Sequence, residues 1–527
     1  MRRGVAILGT LALAAGLLGA PAAVGGGAAK AASSPFPDCA PATTSTAPTV
    51  FVGTVSCQLV HSALLGGEDP VSYFVPHACD PALGRRCPVL YLLHGFGGDY
   101  HSMLGTAANP SGWVQALTAG PPVDPHAVAD PWDYGPSTWV ARPGLGLILV
   151  APHGRTLPNP GAFGPAPNLD SFWTDWNPRY GSGGDSPKYN TPPPRFSTFL
   201  SDELVPYVER FFPAGSGRDW RAIAGTSLGG YGSYKNALQH PDFWSSMGSV
   251  SGAHNFLFAP APDPLPVSAP LGAQPPVSLG YVRVPGTAAS VPVSSLPSQA
   301  QGFGVALLAL GDPVADQAFY RGNMPRDLAM NGHASDGGTQ SLYIKGFSND
   351  TVPRRTADAT DFGSIAFEDI VLPMNVAMEA AFSVEGVSND YQLHPGIHSD
   401  PYRWPWLREQ LEDQYARLAH ADGTDGAPRP ATAFDYRTIS TDFSIWNWRV
   451  HVARTPVEFL EMRDVSCQGL TLQGTGSVTV TVPGNCHTRL GGDRTFTVDL
   501  GPSMPTDEPA GAGATPVYGR TVTVDLR

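Results

Sequence analysis

The residues best suited to covalent chemistry are Gly225-Thr226-Ser227-Leu228-Gly229-Gly230. They follow a short apolar run, Trp220 to Ala224, and precede a helix-forming stretch, Tyr231 to Leu238. Strand, glycine-flanked serine and helix in that order describe a nucleophile elbow. The turn is so tight that a Cβ on either flank would collide with neighbouring backbone, which is why glycine stands there. The serine hydroxyl is pushed outward, and the N-terminus of the following helix aims N–H groups at an anion formed beside it. Glycine makes up 60 of 527 residues, so the pattern alone carries little weight and its surroundings must decide.

Acyl transfer through a serine needs a base, an acid to orient the base, and donors for the oxyanion. In α/β-hydrolases these follow the chain order Ser, Asp/Glu, His. His398, in Gly396-Ile397-His398-Ser399, precedes an apolar helix with Leu407 and Leu411 and is the candidate base; His394 is its competitor. Two acids stand between serine and histidine. Asp350 closes the strand that begins at Ser341, and Glu368 opens a helix-like run. Each also has a plain structural reading, an Asx turn for Asp350 and a first-turn acid for Glu368, and local pattern does not choose between them. The oxyanion donors expected are the backbone N–H groups of Leu228 and of Phe96, the latter in the loop His94-Gly95-Phe96-Gly97-Gly98.

The elements around these residues alternate. Strands are expected at Val50 to Val60, Val71 to Val75, Pro88 to Leu93, Leu145 to Ala151, the elbow strand, Met247 to Val250 and Ser341 to Lys345, and a helix over Phe199 to Phe212 with Leu200, Leu204, Val208 and Phe211 on one face. Such alternation predicts an α/β-hydrolase fold, a mostly parallel, doubly wound sheet. Residues 259–299, rich in Pro, Ala and Ser, interrupt it as an insertion, equally a lid or a surface loop. Phe96, Phe256 and Phe258 are candidates for an acyl pocket or for plain core. After Ala421 to Pro430 the chain turns to short alternating stretches: Phe434 to Tyr436, Phe443 to Val452, Leu470 to Leu472, Val478 to Val482, Phe496 to Leu500 and Val522 to Leu526. These predict a C-terminal β-sandwich. The expected organisation is a signal peptide at 1–31, a catalytic domain at 32–425 and the sandwich at 430–527.

Composition bounds the setting. Hydrophobic residues are 42% and charged residues only 15%, with 54 prolines, which fits a loop-rich secreted protein. Arg2 and Arg3 followed by an apolar run, Val5 to Leu18, and the small residues Ala29-Lys30-Ala31 predict a cleaved signal peptide. The net charge of −13 disfavours nucleic acid as a partner, and no other segment reads as a membrane span. Six cysteines fall into sequence-local pairs, predicting disulfides Cys39–Cys57, Cys79–Cys87 and Cys467–Cys486 in an oxidising compartment. No metal-ligand cluster is legible, and no cofactor is expected.

Several stretches resemble the esterase D and antigen 85 (mycolyltransferase) family of α/β-hydrolases over roughly residues 50–415. Beyond the elbow these are Tyr91 to Phe96, Ser111-Gly112-Trp113, Ser171 to Trp176, Phe196 to Leu204, Gly311-Asp312-Pro313 with Tyr320 to Asn323, and Gly396 to Ser399. The resemblance implies an acyl-enzyme mechanism with Ser227 as nucleophile and His398 as base. It also implies Glu368 as the acid over Asp350, because the mycolyltransferases use a glutamate at a helix start with an asparagine further along, as Glu368 and Asn375 stand here. The chain departs from that branch at Gly97-Gly98, where an arginine is usual, and at Asp400, where a tryptophan is. Those departures favour hydrolysis over transfer to trehalose. The resulting expectation is a secreted carboxylic-ester hydrolase acting on a small-molecule, lipid or glycan ester. The alternatives are an acyltransferase acting on cell-envelope glycans or glycolipids, and a non-catalytic protein that holds wall polysaccharide through its C-terminal domain.

Overall fold

Five successive apolar residues, Val89 to Leu93, leave no polar side for water, so a strand built from them must be covered on both faces. In the computed structural model this strand, β3 (Val89–Leu93), lies inside an eight-stranded mixed sheet, and all five residues are buried. The structure describes residues 36, 38–40, 49–119, 144–156, 170–178, 193–254, 258–259, 269–270, 281–283, 290–292, 309–310, 316–335, 341–353, 362–396, 398, 404–419, 433–455, 457–486, 494–502 and 519–527. The remaining strands of the sheet are β1 (Val55–Ser62), β2 (Gly67–Phe74), β4 (Ile148–Pro152), β5 (Arg221–Thr226), β6 (Ser246–Val250), β7 (Ser341–Pro353) and β8 (Val387–Gly396). Their spatial order is β1-β2-β4-β3-β5-β6-β7-β8. Pairing is parallel from β4 through β8, and β2 runs antiparallel to both its neighbours. The α/β, mostly parallel architecture expected from the sequence is present.

Successive residues of β3 face opposite ways. Val89, Tyr91 and Leu93 join one buried cluster with Val205 and Val208 of α2 (Val205–Phe211) and Leu228, Tyr231 and Leu238 of α3 (Leu228–Gln239). Leu90 and Leu92 join another with Trp113 and Leu117 of α1 (Gly112–Ala119) and Leu407 and Leu411 of α5 (Trp404–Ala416). Helix α4 (Phe362–Glu385) packs along β7 and β8. Helices therefore cover both faces. Because β3, β4, β5 and β6 are parallel, their C-terminal ends emerge along one edge of the sheet, where open α/β sheets bind ligands.

In this sheet two features depart from the sequence reading. Strand β8 was not expected: Ser388-Asn389-Asp390-Tyr391-Gln392 is polar, as an edge strand allows. Its pairing with β7 carries that strand on to Pro353. Asp350 therefore does not close a strand; it lies within one, opposite Leu393.

The C-terminal segment forms two antiparallel sheets. One contains β9 (Ala433–Thr438), β12 (Leu460–Ser466), β13 (Gly469–Gly474) and β16 (Arg520–Asp525), with the two-residue strand Ala334–Ser335 added on the edge of β9. The other runs β10 (Asp442–Ile445), β11 (Trp448–Ala453), β14 (Ser477–Thr481) and β15 (Thr495–Asp499). Tyr436, Met462 and Leu472 from the first sheet and Ile445, Val450 and Val480 from the second belong to one buried cluster. The stretch read as one strand, Phe443 to Val452, is a hairpin. Trp446 and Asn447 sit at φ 49° and 69°, the left-handed pair that a two-residue hairpin turn demands. Strand β12 was also missed.

All three expected disulfides are made, Cys39–Cys57, Cys79–Cys87 and Cys467–Cys486. No helix among the described residues is long and apolar enough to cross a membrane. The expected leader at 1–31 and the junction at 421–430 lie outside the described residues. So does most of the insertion at 259–299, of which Ala259 and three short paired segments, Ala269–Pro270, Tyr281–Arg283 and Ser290–Pro292, are described.

Candidate active site

Strand β5 ends at Thr226 and α3 begins at Leu228, so one residue makes the whole turn. Ser227 holds φ 56° and ψ −118°. That region strains a residue with a side chain by about 1–3 kcal/mol. The flanking glycines are required by contact. A Cβ on Gly225 would lie 2.3 Å from the Gly229 backbone, and one on Gly229 would lie 1.9 Å from the Leu93 carbonyl oxygen. The turn is tied down from behind, because Ser227 N–H donates to Val250 O at 2.9 Å and Ala253 N–H to Ser227 O at 3.1 Å.

The Ser227 Oγ lies 2.7 Å from Nε2 of His398. On the far side of the ring, Nδ1 is 2.8 Å from Oε2 of Glu368. Glu368 does not open its helix as expected: α4 begins at Phe362 and places Glu368 in its second turn, fully buried, and with the His398 side chain 14% exposed, water has little access to the pair. A carboxylate can only accept, so Nδ1 carries the proton and Nε2 offers its lone pair to the serine hydroxyl.

The competing residues lie elsewhere. Asp350 accepts from Asn375 Nδ2 at 3.2 Å and from Tyr391 OH at 2.9 Å. Burial and the adjacent Asp350 carboxylate together raise the Tyr391 hydroxyl above its ordinary range. His394 stacks on Trp406 with ring centroids 4.0 Å apart, and its Nε2 is 3.0 Å from Asn349 Oδ1. The structure thus brings Ser227, His398 and Glu368 together and leaves Asp350 and His394 out.

Leu228 is the first residue of α3, so its N–H has no partner within the helix. The loop after β3 passes directly beside the serine: a Cβ on Gly95 would lie 3.1 Å from that of Ser227. Phe96 follows, with its side chain 43% exposed rather than in the core. Phe256, and the side chain of Phe258, lie outside the described residues.

Sequence reasoning gave no role to the groups beneath that loop. The His94 ring is wedged between two carbonyls, with Nδ1 2.7 Å from Gly95 O and Nε2 2.5 Å from His153 O, and burial lowers its pKa. Asp170 accepts from Gly97 N–H at 3.0 Å. Its carboxyl is raised by burial, an effect partly opposed by Arg155. Trp173 Nε1–H donates to His94 O at 3.1 Å. The available signals were the family-like stretch Ser171 to Trp176, directly after Asp170, and the position of His153 and Arg155 just past a buried strand.

Residues 165–283 match the model of the Esterase family. Two curated relatives, Esterase MT1326 and Esterase Rv1288 from two strains of Mycobacterium tuberculosis, are each 27% identical over 173 residues, 32% of this chain and 26% of theirs. The match spans about a quarter of the length of those relatives. Among solved structures, an S-formylglutathione hydrolase from Agrobacterium tumefaciens is similar over 71% of this chain and 99% of that one, at 15% identity and a TM-score of 0.42. The serine elbow around Ser227 lies inside the matched segment, so the similarity to this esterase family includes the candidate nucleophile.

Proposed function

We propose that this protein is an exported serine carboxylic-ester hydrolase working through an acyl-serine intermediate. The observation that carries the reading is the unbroken relay from Ser227 Oγ through His398 to the buried Glu368, at 2.7 and 2.8 Å. Ser227 attacks the ester carbonyl while His398 Nε2 takes its proton. Glu368 stabilises the imidazolium that results, and His398 returns the proton to the departing alcohol. The oxyanion collects at the N–H groups of Leu228 and Phe96, where loss of one donor costs about 100- to 1000-fold in rate. Water, activated by the same histidine, then releases the acid.

Residues 1–31 act as the export leader, and three disulfides suit an oxidising compartment. Residues 32–425 make up the α/β-hydrolase catalytic domain. Residues 430–527 make up an accessory β-sandwich, a reading supported by two antiparallel sheets that share one apolar cluster.

The test is turnover of p-nitrophenyl esters of increasing acyl length by wild type and Ser227→Ala, with and without a sugar acceptor. The expected result is release of free acid by wild type and a loss of roughly five orders of magnitude in the variant. Equal activity in both proteins overturns the reading. An acylated sugar as the main product replaces hydrolysis with acyl transfer.

A further inference from the structure

The donors of an oxyanion hole work only if they are held in place before charge develops, since any reorganisation is subtracted from the stabilisation they give. Leu228 is fixed by its helix. Phe96 sits in a loop with three glycines, Gly95, Gly97 and Gly98, and Gly97 is at φ +77°. Within the loop, Gly98 N–H donates to Gly95 O at 3.1 Å and closes a turn around Phe96 and Gly97, but this bond alone does not fix where the turn points.

The stiffness comes from two segments that run antiparallel beneath the loop. Residues 153–156 follow β4, and residues 170–176 lie against them, bridged at Arg155 and Asp170, with Ser171 N–H donating to Gly154 O at 3.1 Å. From this platform Asp170 Oδ1 accepts from Gly97 N–H at 3.0 Å. Arg155 Nη1 donates to Gly97 O at 3.2 Å and to Gly98 O at 3.4 Å. The two side chains face one another, Nη2 to Oδ2, at 3.9 Å. A carboxylate thus grips the N–H and a guanidinium the carbonyls that follow Phe96. Trp173 and the His94 ring hold the residues before it. Among the described residues the Phe96 N–H donates to nothing. Asp170 is buried, 3% exposed, so its bond to Gly97 is shielded from water.

We propose that Asp170 and Arg155 are positioning residues that clamp the Gly95–Gly98 loop, so that the Phe96 N–H is aimed at the oxyanion. This rests on the esterase reading above. It assigns the pair no contact with substrate and no proton to move, so the clamp should act on kcat rather than on KM.

The experiment compares full-length wild type, Asp170→Ala, Asp170→Asn, Arg155→Ala and Ser227→Ala by p-nitrophenyl ester kinetics and by amide hydrogen exchange of the peptide covering residues 95–99. Asp170→Ala and Arg155→Ala are expected to lower kcat about 10- to 100-fold with KM within about twofold. Asp170→Asn retains an oxygen that can accept from Gly97 and should stay within about fivefold of wild type. Exchange in the loop should quicken in both alanine variants and not in Ser227→Ala. Wild-type kcat and wild-type exchange in Asp170→Ala overturn the clamp, as does a change confined to KM. If Asp170→Ala fails to fold, Asp170→Asn and the part-exposed Arg155→Ala carry the comparison. Should wild type match Ser227→Ala in having no activity, the esterase reading fails, and the loop's exchange alone decides the clamp.

Discussion

Glu368 and Asp350 are both buried carboxyl groups near the C-terminal edge of the sheet, and what separates them is their partners. Glu368 bonds the histidine that bonds the serine; Asp350 bonds Asn375 and Tyr391. Glu368→Gln should lower kcat by roughly 10⁴-fold, because the amide no longer favours the required tautomer or the imidazolium. Asp350→Asn should leave kcat within about threefold. Steady-state kinetics on one activated ester reads both, and the reverse ranking would move the acid to Asp350. His254 gives a prediction on stability. It is buried, stacked on Tyr234 at 4.4 Å, and burial lowers its pKa from 6.5 to about 3. Below pH 6.5 the unfolded chain takes up a proton that the folded one refuses. The stability associated with a neutral His254 is therefore complete above pH 6.5 and is lost as pH falls toward 3, by up to about 1.4 kcal/mol per pH unit. His254→Phe keeps a stacking ring and removes the proton. Urea unfolding from pH 7 to pH 4 should show a shallower loss of stability in the variant, and parallel curves would refute the assignment.

At the scale of the element, the elbow depends on β3 and α3 approaching more closely than side chains permit. A Cβ at Gly229 meets the Leu93 carbonyl at 1.9 Å, and a backbone atom in a central strand cannot yield. Gly229→Ala should therefore cost more than about 3 kcal/mol. Gly97 makes the contrasting case. It has positive φ, but a Cβ added there would meet no atom within 4 Å, so Gly97→Ala costs only backbone strain, about 1–2 kcal/mol. Thermal unfolding of the two variants separates crowding from conformation. The helix preceding the elbow shows the limit of periodicity. Leu200, Leu204 and Val208 are buried as their spacing required, yet Phe199–Leu204 is a widened π turn that runs into Pro206. Proline lacks the N–H and crowds the carbonyl four residues back, and a wider turn relieves both.

At the scale of the molecule, the far end of α3 is met by Asn331 and by Tyr436 of β9. The last carbonyls of α3 need partners from outside the helix. Asn331 Nδ2 donates to Leu238 O at 2.8 Å and to Arg437 O at 3.0 Å, while its Oδ1 accepts from Arg437 N–H at 2.6 Å. Tyr436 OH donates to Gln239 O at 2.7 Å. Arg437 itself is buried between Glu461 and the Asp327 carbonyl. Asn331→Ala strands three buried backbone groups and should cost about 3 kcal/mol. A Tm within a degree of wild type would show that the C-terminal sheets are merely adjacent to α3.

Periodicity and glycine placement made the central strands and the elbow legible in the sequence, because a buried parallel strand has to be apolar throughout and a one-residue turn has to be flanked by glycine. Cysteine spacing made the three disulfide pairings legible for a similar reason: each bridge closes a short loop. The polar edge strand β8 and the hairpin at Trp446-Asn447 were hidden. An edge needs no apolar run, and a left-handed turn at tryptophan is set by its surroundings rather than by its own preference. The choice between Glu368 and Asp350 was left to a resemblance, since local pattern treats both as acids at the end of an element. Only tertiary structure decides which carboxylate reaches a histidine 30 residues further on, and only it sets Asp170 and Arg155 against the loop beside Ser227. Those meetings depend on where β4, β5 and α4 come to lie across the sheet, a distance in space that no spacing along the chain encodes.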